Sequence, residues 1–332
     1  MDALLNFVLR AVDVTPTYEE ARCLVVTRST GACTACLDVC PHDAVRITSR
    51  VAIDPVECTG CGLCVQACPS GALEPRLSIA PGGNVRCSRV SGSAQSVQCL
   101  AKLQATDIAR LAGSKGSVTL GHGECDSCPI GSADVPTVVA QTAARAQLLT
   151  TVAGRTLDVA IEQVTSLDQR DAGDRLSRRS LLGGGLRSVK QAAGDALAPL
   201  ERVLPQAEPS VAGAQVEPAV EHLRELRLLE IGNVAQDTAV PYRLPRVADG
   251  CILCPICTRA CPTDAFTRVL EHDGGALLLD PERCVGCDAC VAACPVKVIT
   301  MDDSVTYGEL TGGRVEAYRS DPERRSEGSY HR

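Results

Sequence analysis

Residues 251–262 read CILCPICTRACP, and residues 284–295 read CVGCDACVAACP. Each is a run of the form Cys-x2-Cys-x2-Cys-x3-Cys-Pro. Cys251, Cys254, Cys257 and Cys261 thus precede Cys284, Cys287, Cys290 and Cys294 in identical spacing. The same run opens again at Cys58 as CTGCGLCVQACP, with Cys61, Cys64 and Cys68. A shorter one, CTACLDVCP, holds Cys33, Cys36 and Cys40, and Thr30 stands where its leading cysteine belongs. The likeness extends past the cysteines: IDPVECTGCGLCVQACPSGAL at Ile53 aligns with LDPERCVGCDACVAACPVKVI at Leu279. One module is therefore repeated at both ends of the chain, with different sequence between.

The whole chain has 332 residues, 20 of them cysteine, and 33 Lys+Arg against 40 Asp+Glu, a formal charge of −7. Aromatics make up 2% and Trp is absent. Neither phosphate neutralisation nor base stacking is well supplied, which argues against nucleic acid as a partner. No apolar stretch approaches the roughly 18–20 residues needed to span a bilayer as a helix. The opening MDALLNFVLRAVDV is too short and too acidic for a secretory signal. A cytoplasmic location is expected, where many cysteines point to metal or redox chemistry and away from disulfides.

The segment between the copies has another texture. NVRCSRV, GSVTLGHG and RTLDVAIEQV read as strands. SVQCLAKLQATDIARLAG and DVPTVVAQTAARAQLLTTVAG read as helices, with Leu100, Leu103, Ile108 and Leu111 at helical spacing. Strands alternating with helices imply a small α/β unit with a parallel sheet. From about 165 to 248 the chain turns Ala-, Pro- and Gly-rich and reads as a linker with two helices. One runs from near Leu186 to Leu204, the other from Ala219 to Glu230.

The double cysteine run closely resembles the bacterial two-cluster ferredoxin family, in which three cysteines of a run and the fourth of its partner hold each [4Fe-4S] cluster. The resemblance implies an α+β chain: two bacterial-ferredoxin-like modules, at 1–76 and 249–310, flanking a small α/β parallel-sheet domain at 77–165. A Pro/Ala-rich linker with helices (166–248) and a tail (311–332) complete the division. Position by position, one cluster takes Cys251, Cys254, Cys257 and Cys294; a second takes Cys284, Cys287, Cys290 and Cys261. A third takes Cys58, Cys61, Cys64 and Cys40. Tight Cys-x2-Cys loops wrap one corner of a cube, and the fourth cysteine is expected to begin a helical turn leading to the neighbouring cluster. Two structural zinc sites are the alternative, since zinc also takes four thiolates at short spacings. The fourth ferredoxin-type site has Cys33, Cys36 and Cys68, and Cys23 is the nearby candidate to complete it. Its alternatives are a three-iron cluster, a non-thiolate ligand or no cluster, with Cys23 a buried free thiol.

The remaining cysteines are Cys87, Cys99, Cys125 and Cys128. On the strand–helix reading they converge at the carboxyl edge of the parallel sheet, where α/β units place ligands. Cys99 is expected at the start of a helix, and helix N-termini there favour an anionic group. In layout, not in spacing, this domain resembles the iron–sulfur delta subunit of methyl-viologen-reducing hydrogenases. A fifth iron–sulfur cluster of undefined type is expected; zinc, or free or redox-active thiols, are the alternatives. His122, three residues before Cys125, reads as a solvated loop histidine.

Ser177-Arg178-Arg179-Ser180-Leu181-Leu182 is similar to a twin-arginine export motif, but it is internal and charges follow it closely. A similar stretch opens the small ferredoxins associated with periplasmic nitrate reductase maturation, which fits the remnant of a gene fusion. The Leu186–Leu204 face suits docking on the chain's own domains, on a partner or on a membrane surface. No phosphate loop, Ser/His/Asp arrangement or carboxylate pair stands out, so no catalytic residue is assigned.

The expected function is that of a polyferredoxin: an electron-wiring subunit of a larger oxidoreductase complex. It would dock redox partner proteins or subunits and touch a membrane, if at all, through a partner. Each oxidised four-cysteine cubane adds about −2, which favours a basic docking face. The alternative is a reductase subunit acting on a disulfide or sulfur substrate at the middle site. A third reading is an assembly factor with labile clusters.

Overall fold

A computed structural model describes residues 14–27, 33–164, 215–272 and 274–320. The described residues form one compact unit, and residues 165–214 lie outside the description. The expected Leu186 helix, the Arg178-Arg179 motif and Thr30 therefore fall outside the description.

The N-terminal module begins with β1 (Thr17–Tyr18) and a 3-10 turn, Glu20–Arg22. The short helix Ala35–Asp38, the hairpin β2 (Val45–Ile47) and β3 (Val51–Ile53), the helix Leu63–Ala67 and β4 (Leu73–Glu74) follow. β1 pairs antiparallel with β4, closing the module around the inner hairpin.

The middle sheet comprises β5 (Val85–Cys87), β6 (Gln95–Val97), β7 (Ser117–His122) and β8 (Asp158–Gln163). All its pairings are parallel, in the order β6-β5-β7-β8. The chain leaves β5 toward one side and returns through the helix Ala105–Ala112 to the other. That places a topological switch point between β5 and β7. The expected helix over SVQCLAKLQATDIARLAG is shorter than its periodicity suggested. Its first residues are β6 and a 3-10 turn, Leu100–Lys102, and the α-helix starts at Ala105. Asp107 fixes that start by accepting the Gln104 N–H at 3.2 Å. Glu221 accepts the Thr106 N–H at 2.8 Å, satisfying another donor of the helix start. Leu100, Leu103, Ile108 and Leu111 are all buried, though Leu100 lies on the 3-10 turn, Leu103 caps it and only Ile108 and Leu111 are on the α-helix. The helix Val135–Val152 buries Val135, Val139, Ala143, Ala146 and Leu149, the spacing of one helical face.

Residues 215–248 were expected as linker with a helix from Ala219 to Glu230; the helix is there, and the stretch belongs to the compact unit. The helix Val220–Ile231 buries His222, Glu225 and Leu229. Arg145 pairs with Glu225 at 2.7 Å, Tyr242 Oη donates to Glu225 at 3.1 Å, and the Arg145 guanidinium lies 5.0 Å from the Tyr242 ring centroid. His222 Nε2 lies 2.7 Å from the Glu282 carbonyl, tying this helix to the C-terminal module. Glu225→Ala would leave Arg145 and the Tyr242 hydroxyl without their shared acceptor. A loss of about 3 kcal/mol in urea unfolding is expected.

The C-terminal module repeats the first plan. β9 (Leu244–Val247) pairs antiparallel with β12 (Ile299–Asp302), around a hairpin of β10 (Phe266–Glu271) and β11 (Gly274–Leu279). Short helices, Ile256–Ala260 and Ala289–Ala293, again carry cysteines. The helix Tyr307–Thr311 and β13 (Val315–Arg319) follow, and β13 adds to the free edge of β11. Residues up to 319 are thus structured where a tail from 311 was expected. The strand satisfies backbone groups that edge strand β11 would otherwise leave open.

Candidate metal centres

The cysteine loops turn in the same way in both modules. Gly60, Leu253 and Gly286, each just before the second cysteine of its run, have φ of 69°, 51° and 68°. Asp43, Gly71, Asp264 and Lys297, each two residues after a Cys-Pro proline, have φ of 52°, 64°, 53° and 54°. Aspartate, leucine and lysine adopt this left-handed region at a cost, so the turn is imposed by the loop's purpose. Alternating right- and left-handed residues aim successive N–H groups into one concavity, a recognised cradle for anions and iron–sulfur groups. Two sulfurs receive such donors: Ala72 N–H to Cys68 Sγ and Ala265 N–H to Cys261 Sγ, both at 3.2 Å.

The fourth cysteine of a run does not begin a helical turn. The short helices carry the third cysteine, and Cys68, Cys261 and Cys294 cap their C-terminal ends in extended conformation. The proline that follows excludes the helical conformation from the residue before it. The helix must therefore stop at the cysteine, which turns its thiol away.

All twenty cysteines lie in described residues and all are free of disulfides. Cys40, Cys58, Cys61 and Cys64 line one small pocket, walled by Pro16, Val45 and Ile53. In the same core layer Cys23, Cys36 and Cys68 are packed together. Burial pushes the Cys36 thiol up to about 11, and repulsion from Cys68, Cys33 and Cys23 adds to it. Cys23 caps the Glu20–Arg22 turn and is buried. The C-terminal thiols also act on one another. Burial raises Cys290, and Cys284, Cys287 and Cys261 raise it further. Cys251 is raised by burial and then by Cys254 and Cys294; Cys257 is raised by burial and then by Cys251 and Cys254.

The middle cysteines meet at the switch point. Cys87 ends β5, Cys99 follows β6, and Cys125 and Cys128 follow β7. All four line one small pocket together with Arg89, His122 and Val135. Cys99 precedes the 3-10 turn and not the α-helix, so a long helix dipole does not begin at it. Burial pushes Cys99 up to about 12 and Cys125 up to about 11, the reverse of an activated thiol. His122 is the last residue of β7 and is part-buried, not a solvated loop residue. Its Nδ1 lies 2.7 Å from Gly123 O and 3.7 Å from Cys125 Sγ. Among the described residues no three His, Cys, Asp or Glu side chains converge closely enough to hold a single metal ion. A cubane presents four separate irons, and its thiolates stand correspondingly farther apart.

Contacts between the N-terminal module and the middle sheet were not foreseen from the sequence. Thr59 Oγ1 donates to Ile130 O at 2.7 Å, and His42 Nε2 lies 3.0 Å from the same carbonyl. Gln66 Nε2 donates to Ala101 O and Leu103 O at 3.1 and 2.7 Å. Gly62 sits where a Cβ would stand 2.7 Å from Ala101 O, so only glycine allows this approach. Tyr18 is also new to the cysteine neighbourhood: burial raises its phenol, and a hydrogen bond with Cys23 adds to the shift. Thr59, Gly62 and Gln66 fall between the cysteines of the Cys58 run and the others fall outside any run, so the ligand spacing carried no signal for them.

The 4Fe-4S dicluster domain family matches the chain twice, at residues 14–72 and 250–311. Comparison with curated proteins and with solved structures returns no match. Both matched segments coincide with the repeated cysteine modules. Among the described residues no helix is long and apolar enough to cross a membrane.

Proposed function

We propose that this chain is a multi-cluster iron–sulfur electron-transfer protein, the electron-wiring subunit of a larger oxidoreductase complex. The observation that carries the reading is the grouping of the cysteines in fours across both dicluster modules and the middle sheet. The residues fit such groups: thiols converge, amides aim inward, and two sulfurs accept N–H bonds. When bound, a [4Fe-4S] cluster supplies one-electron redox chemistry.

The ligand sets would be Cys251, Cys254, Cys257 and Cys294; Cys284, Cys287, Cys290 and Cys261; Cys58, Cys61, Cys64 and Cys40; and Cys23, Cys33, Cys36 and Cys68. Cys87, Cys99, Cys125 and Cys128 would hold a fifth iron–sulfur cluster. The apolar walls, with Val45, Ile53 and Val135 among them, exclude water and lower the local dielectric. The inward amides hold sulfur positions still as charge changes, which keeps reorganisation small. The chain's net charge of −7 becomes more negative with every cluster, which suits a basic face on a redox partner. A reducing, cytoplasmic compartment would keep twenty thiols available for assembly. At the middle site the raised Cys125 thiol and the shared enclosed pocket favour a closed cluster over disulfide or sulfur reduction.

The deciding measurement is iron and acid-labile sulfide on anaerobically purified protein, with EPR on reduction. About 16–20 irons per chain are expected if four or five sites hold cubanes. Stoichiometric zinc with fewer than about eight irons would overturn the reading.

A further inference from the structure

The Leu100–Lys102 turn brings a lysine to the seam between two of the proposed cluster sites. Lys102 is 6% exposed, although lysine is almost never buried unless paired. None of the ion pairs among the described residues includes it. Its backbone is held from both sides. The Lys102 N–H donates to Cys99 O at 3.2 Å, and Gln66 bonds the carbonyls of the flanking Ala101 and Leu103. A Cβ on Gly62 would stand 2.8 Å from Lys102 Cα, so the Cys61–Gly62 loop rests directly on this turn. The two sites are correspondingly close. Cys61, Cys87 and Cys99 share one hydrophobic core, and a Cβ on Gly60 would stand 3.1 Å from the Gln98 Oε1 beside Cys99.

We propose that the Lys102 ammonium is a potential-setting charge shared by the clusters of Cys40/Cys58/Cys61/Cys64 and Cys87/Cys99/Cys125/Cys128, making both easier to reduce. The inference rests on the electron-transfer reading above. Reduction adds one electron to a site that is already anionic, and net charge and solvent exposure are among the levers on its potential. A cation carried on a mostly buried residue favours the more negative state, and solvent screens it less than at an open surface. Burial lowers the Lys102 pKa, while Cys58, Cys99 and Cys61, drawn from both sets, act in the opposite direction. A residue whose backbone meets both loops brings its charge near both sites, so the potential of each is raised. The step moves an electron only.

The test is an EPR-monitored redox titration of the anaerobic full-length protein, with dithionite as reductant. Parent, Lys102→Met and Lys102→Arg are compared, with iron and sulfide counted on the same samples. In Lys102→Met the one-electron equilibrium of two clusters is expected to shift about tenfold toward the oxidised form, a fall of about 59 mV. The other signals should stay in place, and Lys102→Arg should keep the parent's midpoints. Should Lys102→Met load poorly, Lys102→Gln reads the same loss of charge with a polar side chain. Unmoved midpoints in a fully loaded charge-removing variant, or an equal fall in every cluster, overturn the proposal. So does loss of iron from all three variants, which would make Lys102 a folding residue only. A parent without iron would instead bring down the electron-transfer reading itself, and this inference with it.

Discussion

The Cys125→Ser/Cys128→Ser double variant is expected to lose one cluster's iron, about four atoms per chain if the middle site holds a cubane. Two of four thiolates would be gone from a pocket that Cys87, Cys99, Cys125 and Cys128 line together. The remaining pair, on β5 and after β6, cannot alone satisfy four irons. Iron analysis on anaerobic protein reads the loss directly. The sequence suggested separate folding units, in which every ferredoxin-type signal would persist. The shared core of Cys61, Cys87 and Cys99 changes that expectation. The signal from the Cys40/Cys58/Cys61/Cys64 site should alter in line shape, because its neighbour has gone. The C-terminal signals should persist unaltered. Unchanged iron in the double variant would shift the middle site to zinc or to free thiols.

Cys23→Ala is expected to convert or empty one N-terminal cluster, giving a three-iron EPR signal or the loss of that cluster. The run that starts at Cys33 lacks its leading cysteine, and a cubane held by three thiolates readily loses the unsupported iron. Cys23 is buried in the layer that contains Cys36 and Cys68, and its thiolate would repel that of Cys36. The nine residues between Cys23 and Cys33 could span up to about 30 Å if extended, so the loop imposes no limit. A thiol kept merely as a small buried hydrophobe would tolerate alanine with little effect. A spectrum and iron content identical to the parent would therefore remove Cys23 from the ligand set.

The sequence by itself determined the two repeated cysteine modules, because the loop that each run folds into is a local matter of spacing. Cys-x2-Cys loops and a Cys-Pro stop specify turn, short helix and exit within a dozen residues, independent of the rest of the chain. The parallel middle sheet was legible for the same reason, from alternation and helical periodicity. Cys87, Cys99, Cys125 and Cys128 could be placed at its carboxyl edge because strand ends are set by topology.

Only the tertiary structure decided what the pieces do to one another. One donor of the helix start, the Thr106 N–H, is satisfied only by Glu221, 115 residues away, which no local window contains. The segment 215–248 has the composition of a linker, yet its Glu225 completes a pair with Arg145 from another domain. Likewise nothing in LAKL marks Lys102 as buried, since a lysine beside apolar residues ordinarily still turns its charge to water. It is enclosed because Gly62 lets the Cys61 loop close over the turn, and that approach is a distance between backbones far apart in sequence. The cysteine runs follow from chain spacing, whereas the side chains that lie between them follow from packing.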